Sequence, residues 1–370
     1  MSIMDTSNVE TPSNKVNFDV KYRTQMENQI VELLGVKDID ALLLEKCGPR
    51  YLDYRKAWKA GMQLKEVPKF PLSLDIENLN HCNFACHHCM FSSKAAHPDT
   101  KGRVGKFEMD MKLYKRAIDE GSEHGLAAIT HGVQCEPTMH SNIVEMVAYA
   151  ERKGVMDQRI GTNGSLLSDD MCERLIDAGL ARLEVSLDAA TPETYKLVRK
   201  GKEAVYEDIV RNIHRFLEIR EKKGTKFPIL RVSFVKMNMN LHELDLFIDT
   251  WKDCADYFSI QEPINYQMNL PNTAIKWNPD RDKEAFRCDK PHTRMFMRYD
   301  GTLYPCFPLN IPGFDSFKLG NIADTSILSA WTSHHEQMLR SMHEKGNYNQ
   351  NPVCNDCVRR CGVFGDYEEY

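Results

Sequence analysis

The sequence predicts an α/β chain: a partial (β/α)6 TIM-like barrel with a helical N-terminal extension and a small C-terminal cysteine-rich module. Between Phe70 and Pro263, six short apolar or β-branched runs alternate with longer amphipathic stretches, the pattern of a parallel sheet with helices packed outside it. Six such units suit a partial barrel better than the eight of a closed one. After about residue 263 the alternation stops, and a loop-rich tail with clustered cysteines begins.

Taken in order, the first 17 residues are polar and are expected to fray. Phe18 to Lys65 reads as mostly helical, with apolar positions at Ile30, Leu33, Leu34 and at Leu42, Leu43, Leu44. Residues 1–69 are therefore an N-terminal extension. Strands are expected over 72–77, 127–134, 158–162, 182–188, 230–235 and 258–262, and helices over 110–124, 141–153, 168–178, 203–222 and 241–254. These make a barrel domain over 70–263, whose function should sit at the strand C-termini. In the tail, 264–370, a hairpin over 295–305 turns at Asp300-Gly301 and a helix runs from about Ile327 to His343.

With 370 residues, 42% of them hydrophobic, the chain can bury a large core, and its net charge of -5 gives no general basic field for nucleic acid. No run approaches the roughly 18 apolar residues that cross a bilayer, and the start lacks a signal-peptide pattern. A cytoplasmic protein with neither membrane nor nucleic-acid partner is expected. In that reducing compartment, 12 cysteines at clustered spacings point to metal or redox chemistry rather than disulfides. Cys47, Cys172 and Cys254 fall in predicted helices and read as packing residues.

The first expected strand leads into Cys82-Asn-Phe-Ala-Cys86-His-His-Cys89, a C-x3-C-x2-C spacing. Three thiolates on one loop can hold three irons of a [4Fe–4S] cube and leave the fourth iron open to an external ligand. The alternative, a structural zinc site, needs four ligands, so His81, His87 or His88 would have to complete it.

A C-x3-C-x2-C loop placed directly after the first strand of a βα repeat resembles the signature of the radical S-adenosylmethionine (SAM) superfamily, over residues 70–262. The resemblance implies that the open iron binds the amino and carboxylate groups of SAM. An electron from the cluster would then cleave SAM to a 5′-deoxyadenosyl radical that abstracts a substrate hydrogen. Glu136-Pro137 stands where the family has Gly-Gly-Glu-Pro, which implies a contact between Glu136 and the SAM ammonium group, although Gln134 and Cys135 replace the two glycines. Cys135 is either a small filler or a catalytic hydrogen donor to a substrate radical. Asn163, in Gly161-Thr162-Asn163-Gly164, and Ser186, at the fourth strand's end, match SAM-contacting positions; Arg199, a short helix later, matches the arginine that holds the SAM carboxylate.

In the tail, Gly301 allows the turn that brings Cys288 and Cys306 together, and Cys354-Asn-Asp-Cys357 forms one knuckle, so four ligands can converge on a metal. Zinc ribbons use such pairs. The tail also resembles the SPASM and twitch modules that follow radical SAM cores, including Leu319-Gly-Asn-Ile and the Trp331-containing helix. That resemblance implies one auxiliary [4Fe–4S] cluster on Cys288, Cys306, Cys354 and Cys357. A full SPASM module carries two clusters and more than this tail's five cysteines, which leaves Cys361 as a spare thiol, a substitute ligand or part of a second auxiliary cluster.

The family implies a radical SAM oxidoreductase, of dehydrogenase or epimerase type, acting on a small hydroxyl-rich molecule such as a sugar or aminocyclitol. The reducing partner would be a flavodoxin or ferredoxin. The alternatives are a maturase that cross-links or epimerises a precursor peptide, which the helical N-terminus argues against, and a non-catalytic zinc-binding interaction protein. An anionic substrate could use Lys106, Arg231 or Lys236, each read as a surface charge.

Overall fold

Strands β1 (Val20–Met26) and β2 (Gln29–Leu34) lead into helices α1 (Ile39–Cys47) and α2 (Arg50–Met62). Then β3 (Ser73–Ile76), α3 (Met111–Glu123), β4 (Ala128–His131), α4 (Ile143–Arg152), β5 (Asp157–Thr162), α5 (Asp169–Asp177) and β6 (Arg182–Ser186) alternate. They continue through α6 (Pro192–Arg199), α7 (Glu203–Lys222), β7 (Ile229–Val235), α8 (Leu244–Trp251) and β8 (Tyr257–Gln261). The tail holds β9 (Ile275–Trp277), α9 (Lys290–Thr293), β10 (Arg294–Met297), β11 (Thr302–Tyr304), β12 (Gly320–Asn321), α10 (Ile327–Trp331), α11 (His334–Glu344), α12 (Pro352–Arg360) and β13 (Gly365–Tyr367). The computed structural model describes residues 20–26, 29–34, 38–86, 88–89, 106–200, 203–261, 275–277, 287–307, 311, 313–360 and 365–367; Cys361 lies outside them.

Strands β3 to β8 are consecutive parallel neighbours, the open six-stranded barrel that the sequence predicts. Each strand divides its side chains between two faces. Leu74, Ile76, Ile129, Ile160, Leu183, Val185, Leu230, Val232, Phe234, Phe258 and Ile260 join the helices in one core. At about 2 kcal/mol for each fully buried large side chain, that face drives assembly. The alternate positions are polar: Asp75, Thr130, Arg159, Glu184, Ser186, Arg231, Ser233 and Ser259 occupy the concave face. Beneath the strand N-termini, Leu43, Tyr51 and Tyr54 of α1 and α2 pack on Ala127, Ala128, Met156, Ala181, Ile229 and Tyr257 and close the barrel floor.

Both edges of the barrel sheet are extended. On one side β10 pairs in parallel with β3, Arg294 opposite Ser73 and Met297 opposite Ile76, and β11 and β12 follow antiparallel. The tail hairpin turns at Asp300-Gly301, where Gly301 adopts φ +83 and Asp300 Oδ1 accepts from Thr302 N at 3.0 Å. On the other side β2 pairs antiparallel with β8, Val31 opposite Gln261.

That pairing corrects the expected helix over the start of the extension: residues 20–26 and 29–34 are strands. Ile30, Leu33 and Leu34 have helical spacing, but the open β8 edge supplies a ladder that outweighs local preference. The expected helix from Ile327 to His343 is also two helices. Ser333 begins a new one, its side chain accepting from Glu336 N at 3.3 Å, in a Ser-x-x-Glu spacing that is itself a helix-start signal.

Candidate functional site

The loop after β3 is rooted by two buried asparagines. Asn78 O accepts from Met109 N at 2.8 Å, Asn78 Oδ1 accepts from Gly132 N at 2.9 Å, and Asn80 Oδ1 accepts from Phe107 N at 2.8 Å. Beyond this root stand Cys82, Cys86 and Cys89, with Cys89 N donating to Cys86 O at 3.2 Å and Phe84 N donating to Cys82 Sγ at 3.4 Å. Desolvation pushes the Cys82 thiol up to about 11, and the nearby Glu136, Cys86 and Cys89 add to the shift. Among the described residues no three Cys, His, Asp or Glu side chains close around a single-ion position. Three thiols on one loop could hold a larger centre such as an iron–sulfur cube, whose positive irons would favour their deprotonated form.

Behind the loop, Glu136 ties the ends of β4 and β5 together. Its Oε1 accepts from Thr138 Oγ1 at 2.5 Å and Thr162 Oγ1 at 2.7 Å, and its Oε2 accepts from Asn163 N at 2.7 Å. Burial pushes the Glu136 carboxyl up, and these hydrogen bonds oppose it. Asn163 Nδ2 donates to Asn83 Oδ1 at 2.8 Å and lies 3.9 Å from Cys82 Sγ, so Asn163 faces the cluster loop. The turn needs Gly132 (φ +80), since a Cβ there would stand 2.4 Å from the Pro137 ring. Cys135, half-buried, lies in the same turn.

At the end of β6, Ser186 meets Ser233 Oγ at 3.4 Å. Asp188, completely buried with φ +61, accepts from Val235 N at 2.8 Å and lies 2.9 Å from Arg199 Nη2 and 3.6 Å from His88 Nε2. Arg199 Nη1 donates to Cys86 Sγ at 3.3 Å. Burial works against the Arg199 charge, but Asp188 and Cys86 outweigh it and secure the protonated form. Arg199 Nε is buried with no hydrogen-bond partner among the described residues; a guanidinium suits a carboxylate, and Arg199 could hold that of SAM. The helix carrying Arg199 is held at its start by Glu243, which accepts from Ala190 N at 2.7 Å, Thr191 Oγ1 at 2.5 Å and Thr194 Oγ1 at 2.6 Å.

On the concave face, Arg231 donates to Glu184, Arg159 Nη1 lies 3.5 Å from Glu184 Oε1, and Arg159 Nη2 donates to Thr130 Oγ1 at 3.1 Å. Glu184 Oε1 and Arg231 Nε have no hydrogen-bond partner among the described residues. Ser186, Ser233, Ser259 and Gln261 line the level nearer the strand C-termini. Arg231 is thus 9% exposed rather than the surface charge expected from sequence. The signal was present in Arg182-Leu-Glu-Val-Ser186, because a buried parallel strand usually reads as continuously apolar and here every second residue is polar. Asp188's counter-charge role, the Glu243 clamp and His88's approach to Asp188 depend on contacts between distant segments.

The structure brings Cys288, Cys306, Cys354 and Cys357 to the wall of one cavity, with Phe314, Phe317 and Val358 among the apolar side chains around them. Burial pushes the Cys306 thiol well above its ordinary range, and Cys288 and Cys354 add to it; Cys354 is likewise raised by burial and then by Cys288. Thiols gathered in an apolar cavity fit an iron–sulfur centre, whose positive irons would favour their deprotonated form. These four residues could hold the auxiliary cluster.

Comparison with known proteins accords with this geometry. The profile of the radical SAM superfamily matches residues 77–227, and that of the SPASM iron-sulfur cluster-binding domain matches residues 288–358. The chain is 26% identical over 232 residues to the "Probable GTP 3',8-cyclase" of Methanocaldococcus jannaschii, covering 61% of this chain and 70% of that protein. It is 24% identical over 324 residues to the tungsten-containing aldehyde ferredoxin oxidoreductase cofactor-modifying protein of Pyrococcus furiosus, covering 78% of this chain and 87% of that one. Among solved structures, Streptococcus suis SuiB bound to precursor peptide SuiA superposes with a TM-score of 0.53 at 16% identity, covering 79% of this chain and 72% of that one. No helix among the described residues is long and apolar enough to cross a membrane. The cofactors are SAM, its [4Fe–4S] cluster and an auxiliary cluster, and the chain belongs to the radical SAM superfamily as an enzyme with a C-terminal SPASM domain.

Proposed function

We propose that this radical SAM enzyme oxidises or epimerises a small, hydroxyl-rich molecule, of the sugar or aminocyclitol kind, bound on the concave face of the barrel. The observation that carries the reading is the Arg231–Glu184–Arg159 trio with Ser186, Ser233, Ser259 and Gln261 above it. Buried ion pairs are poor stabilisers, since well-packed apolar residues do as well or better. A face this rich in buried polar side chains is therefore better explained by a ligand that needs donors and acceptors. Ser186 and Gln261, half-buried above the trio, would meet its hydroxyl groups.

When bound, SAM and its cluster supply a 5′-deoxyadenosyl radical that takes one hydrogen atom from a substrate carbon, and the auxiliary cluster supplies an acceptor for one electron. The chain's residues do the rest. Arg199 and Asn163 would orient SAM, with Glu136 fixing the turn behind Asn163. Loss of one further electron, to the auxiliary cluster, and of the hydroxyl proton from the resulting carbon radical would give a carbonyl group. A hydrogen atom returned from the Cys135 thiol would give inversion instead, the sulfur being restored by one electron from the flavodoxin or ferredoxin partner and one proton.

A peptide substrate is the second reading. Strands β1 and β2 remove the argument that the N-terminus lacks strands, but they extend the barrel sheet through the β2–β8 pairing. The test is anaerobic turnover with carbon-deuterated polyols and aminocyclitols. Deuterium appearing in 5′-deoxyadenosine together with a carbonyl or inverted product is expected. Transfer from a peptide but from no polyol would overturn the proposal.

A further inference from the structure

Among the described residues, the cavity that gathers the four tail cysteines contains one other polar side chain. His343, on α11, is 3% exposed and lines the cavity, and its Nε2 lies 3.6 Å from Cys354 Sγ. Apart from the cysteines, the remaining lining side chains are proline, phenylalanine, isoleucine, leucine and valine. His343 Nδ1 has no hydrogen-bond partner among the described residues, so no other contact there sets the ring's tautomer.

We propose that His343 donates its Nε2–H to the Cys354 sulfur when this site holds its iron–sulfur cluster, and thereby raises the reduction potential of that cluster. The inference rests on Cys354 being a ligand of the auxiliary cluster. An iron-bound thiolate sulfur has no proton to give, so the contact selects the tautomer with hydrogen on Nε2 and makes the ring the donor. A hydrogen bond onto a ligand sulfur draws electron density from the cluster and stabilises the reduced, more negative state more than the oxidised one. The apolar surroundings strengthen the effect, because few other dipoles compete in a cavity of low dielectric. A raised potential suits a centre that receives an electron from a substrate. No spacing in the sequence marks His343, since it reaches Cys354 only because α11 and α12 both face the cavity.

The test uses the full chain with Cys82, Cys86 and Cys89 all replaced by Ala, so that only the tail cluster is seen, with His343→Leu and His343→Gln added separately. Iron and sulfide are counted, the potential is titrated by electron paramagnetic resonance, and exchangeable deuterons coupled to the reduced cluster are recorded in D2O. The proposal expects full tail-cluster iron in both variants, a lower potential in His343→Leu with loss of one coupled deuteron, and a smaller drop in His343→Gln, whose amide can still donate. An unchanged potential and deuteron coupling in iron-replete His343→Leu would overturn it. Loss of iron from both variants would also overturn it, because His343 would then be needed to hold the cluster rather than to tune it. Absence of tail-cluster iron before His343 is changed would instead overturn the cysteine assignment beneath the proposal.

Discussion

Asp188 Oδ2 lies 2.9 Å from Arg199 Nη2, and the same guanidinium donates through Nη1 to Cys86 Sγ at 3.3 Å. One buried carboxylate thus holds the arginine that touches the cluster loop, while His88 of that loop stands 3.6 Å from the same carboxylate oxygen. Asparagine tolerates Asp188's left-handed backbone at φ +61, so Asp188→Asn removes the charge and leaves the turn intact. Depriving a buried arginine of its counter-ion costs about 3 kcal/mol or more. The expected outcome is at least a roughly tenfold loss of SAM affinity and of 5′-deoxyadenosine formation. Equilibrium binding of SAM to the reconstituted variant checks it, and wild-type affinity would contradict the assigned geometry.

Glu243 bears on the same arginine from the far end of its helix. Burial pushes its carboxyl up, but hydrogen bonds from Thr191, Thr194 and the Ala190 backbone outweigh this and hold it below the usual glutamate range. Stability from such a group is present above the unfolded glutamate's range and is lost as pH falls through the lowered folded value. Glu243→Gln should therefore flatten the acid limb of the stability profile. Glu243→Ala should cost about 2–4 kcal/mol at neutral pH. Denaturant midpoints measured against pH decide both.

The concave face offers a different separation. Replacing Glu184 with Leu and both Arg159 and Arg231 with Met together exchanges the buried ion trio for apolar volume, which should change stability by no more than about 1–2 kcal/mol in either direction. Substrate-dependent turnover should fall by at least about tenfold while SAM cleavage without substrate continues. Equal turnover in the triple variant would show that the trio serves the fold alone.

The barrel and both cysteine groups were legible in the sequence because each rests on a local signal: alternating apolar runs for the strands, short Cys spacings for the loops. The position of β10 was not. Met295 to Met297 was read as part of a hairpin, and nothing local says that Arg294 to Met297 pairs in parallel with Ser73 to Ile76, more than two hundred residues earlier. Residues 20–26 and 29–34 failed for the same reason, since their strand state is decided by the β8 edge. Within the site, the cysteines, Glu136, Asn163 and Arg199 were named from motifs, but their partners were not. Asp188 acquires its counter-charge role only when β6 returns beside the cluster loop, and Arg231 is internal only because β7 lies between β6 and β8.

His131 is completely buried between Asn78 and Gln158, and burial lowers its pKa to about 4. The unfolded chain takes up this proton near the ordinary histidine value and the folded chain resists, so stability present at neutral pH is lost as pH falls from about 6.5 toward 4. The loss attributable to this residue approaches about 3 kcal/mol at the low end. His131→Asn should show a shallower decline between pH 6.5 and 5.5 in denaturant titrations, and an unaltered slope would contradict the neutral buried imidazole.

The central claim is that two separate cysteine sets hold two centres with different tasks. Anaerobic reconstitution, with iron and sulfide counted alongside reductive SAM cleavage, tests it most directly. The wild type should hold about eight irons. Replacing Cys82, Cys86 and Cys89 with Ala should leave about four irons and abolish 5′-deoxyadenosine, whereas replacing Cys288 and Cys306 with Ala should leave about four irons with SAM cleavage retained. Zinc in place of iron, or SAM cleavage surviving the first set of substitutions, would contradict it.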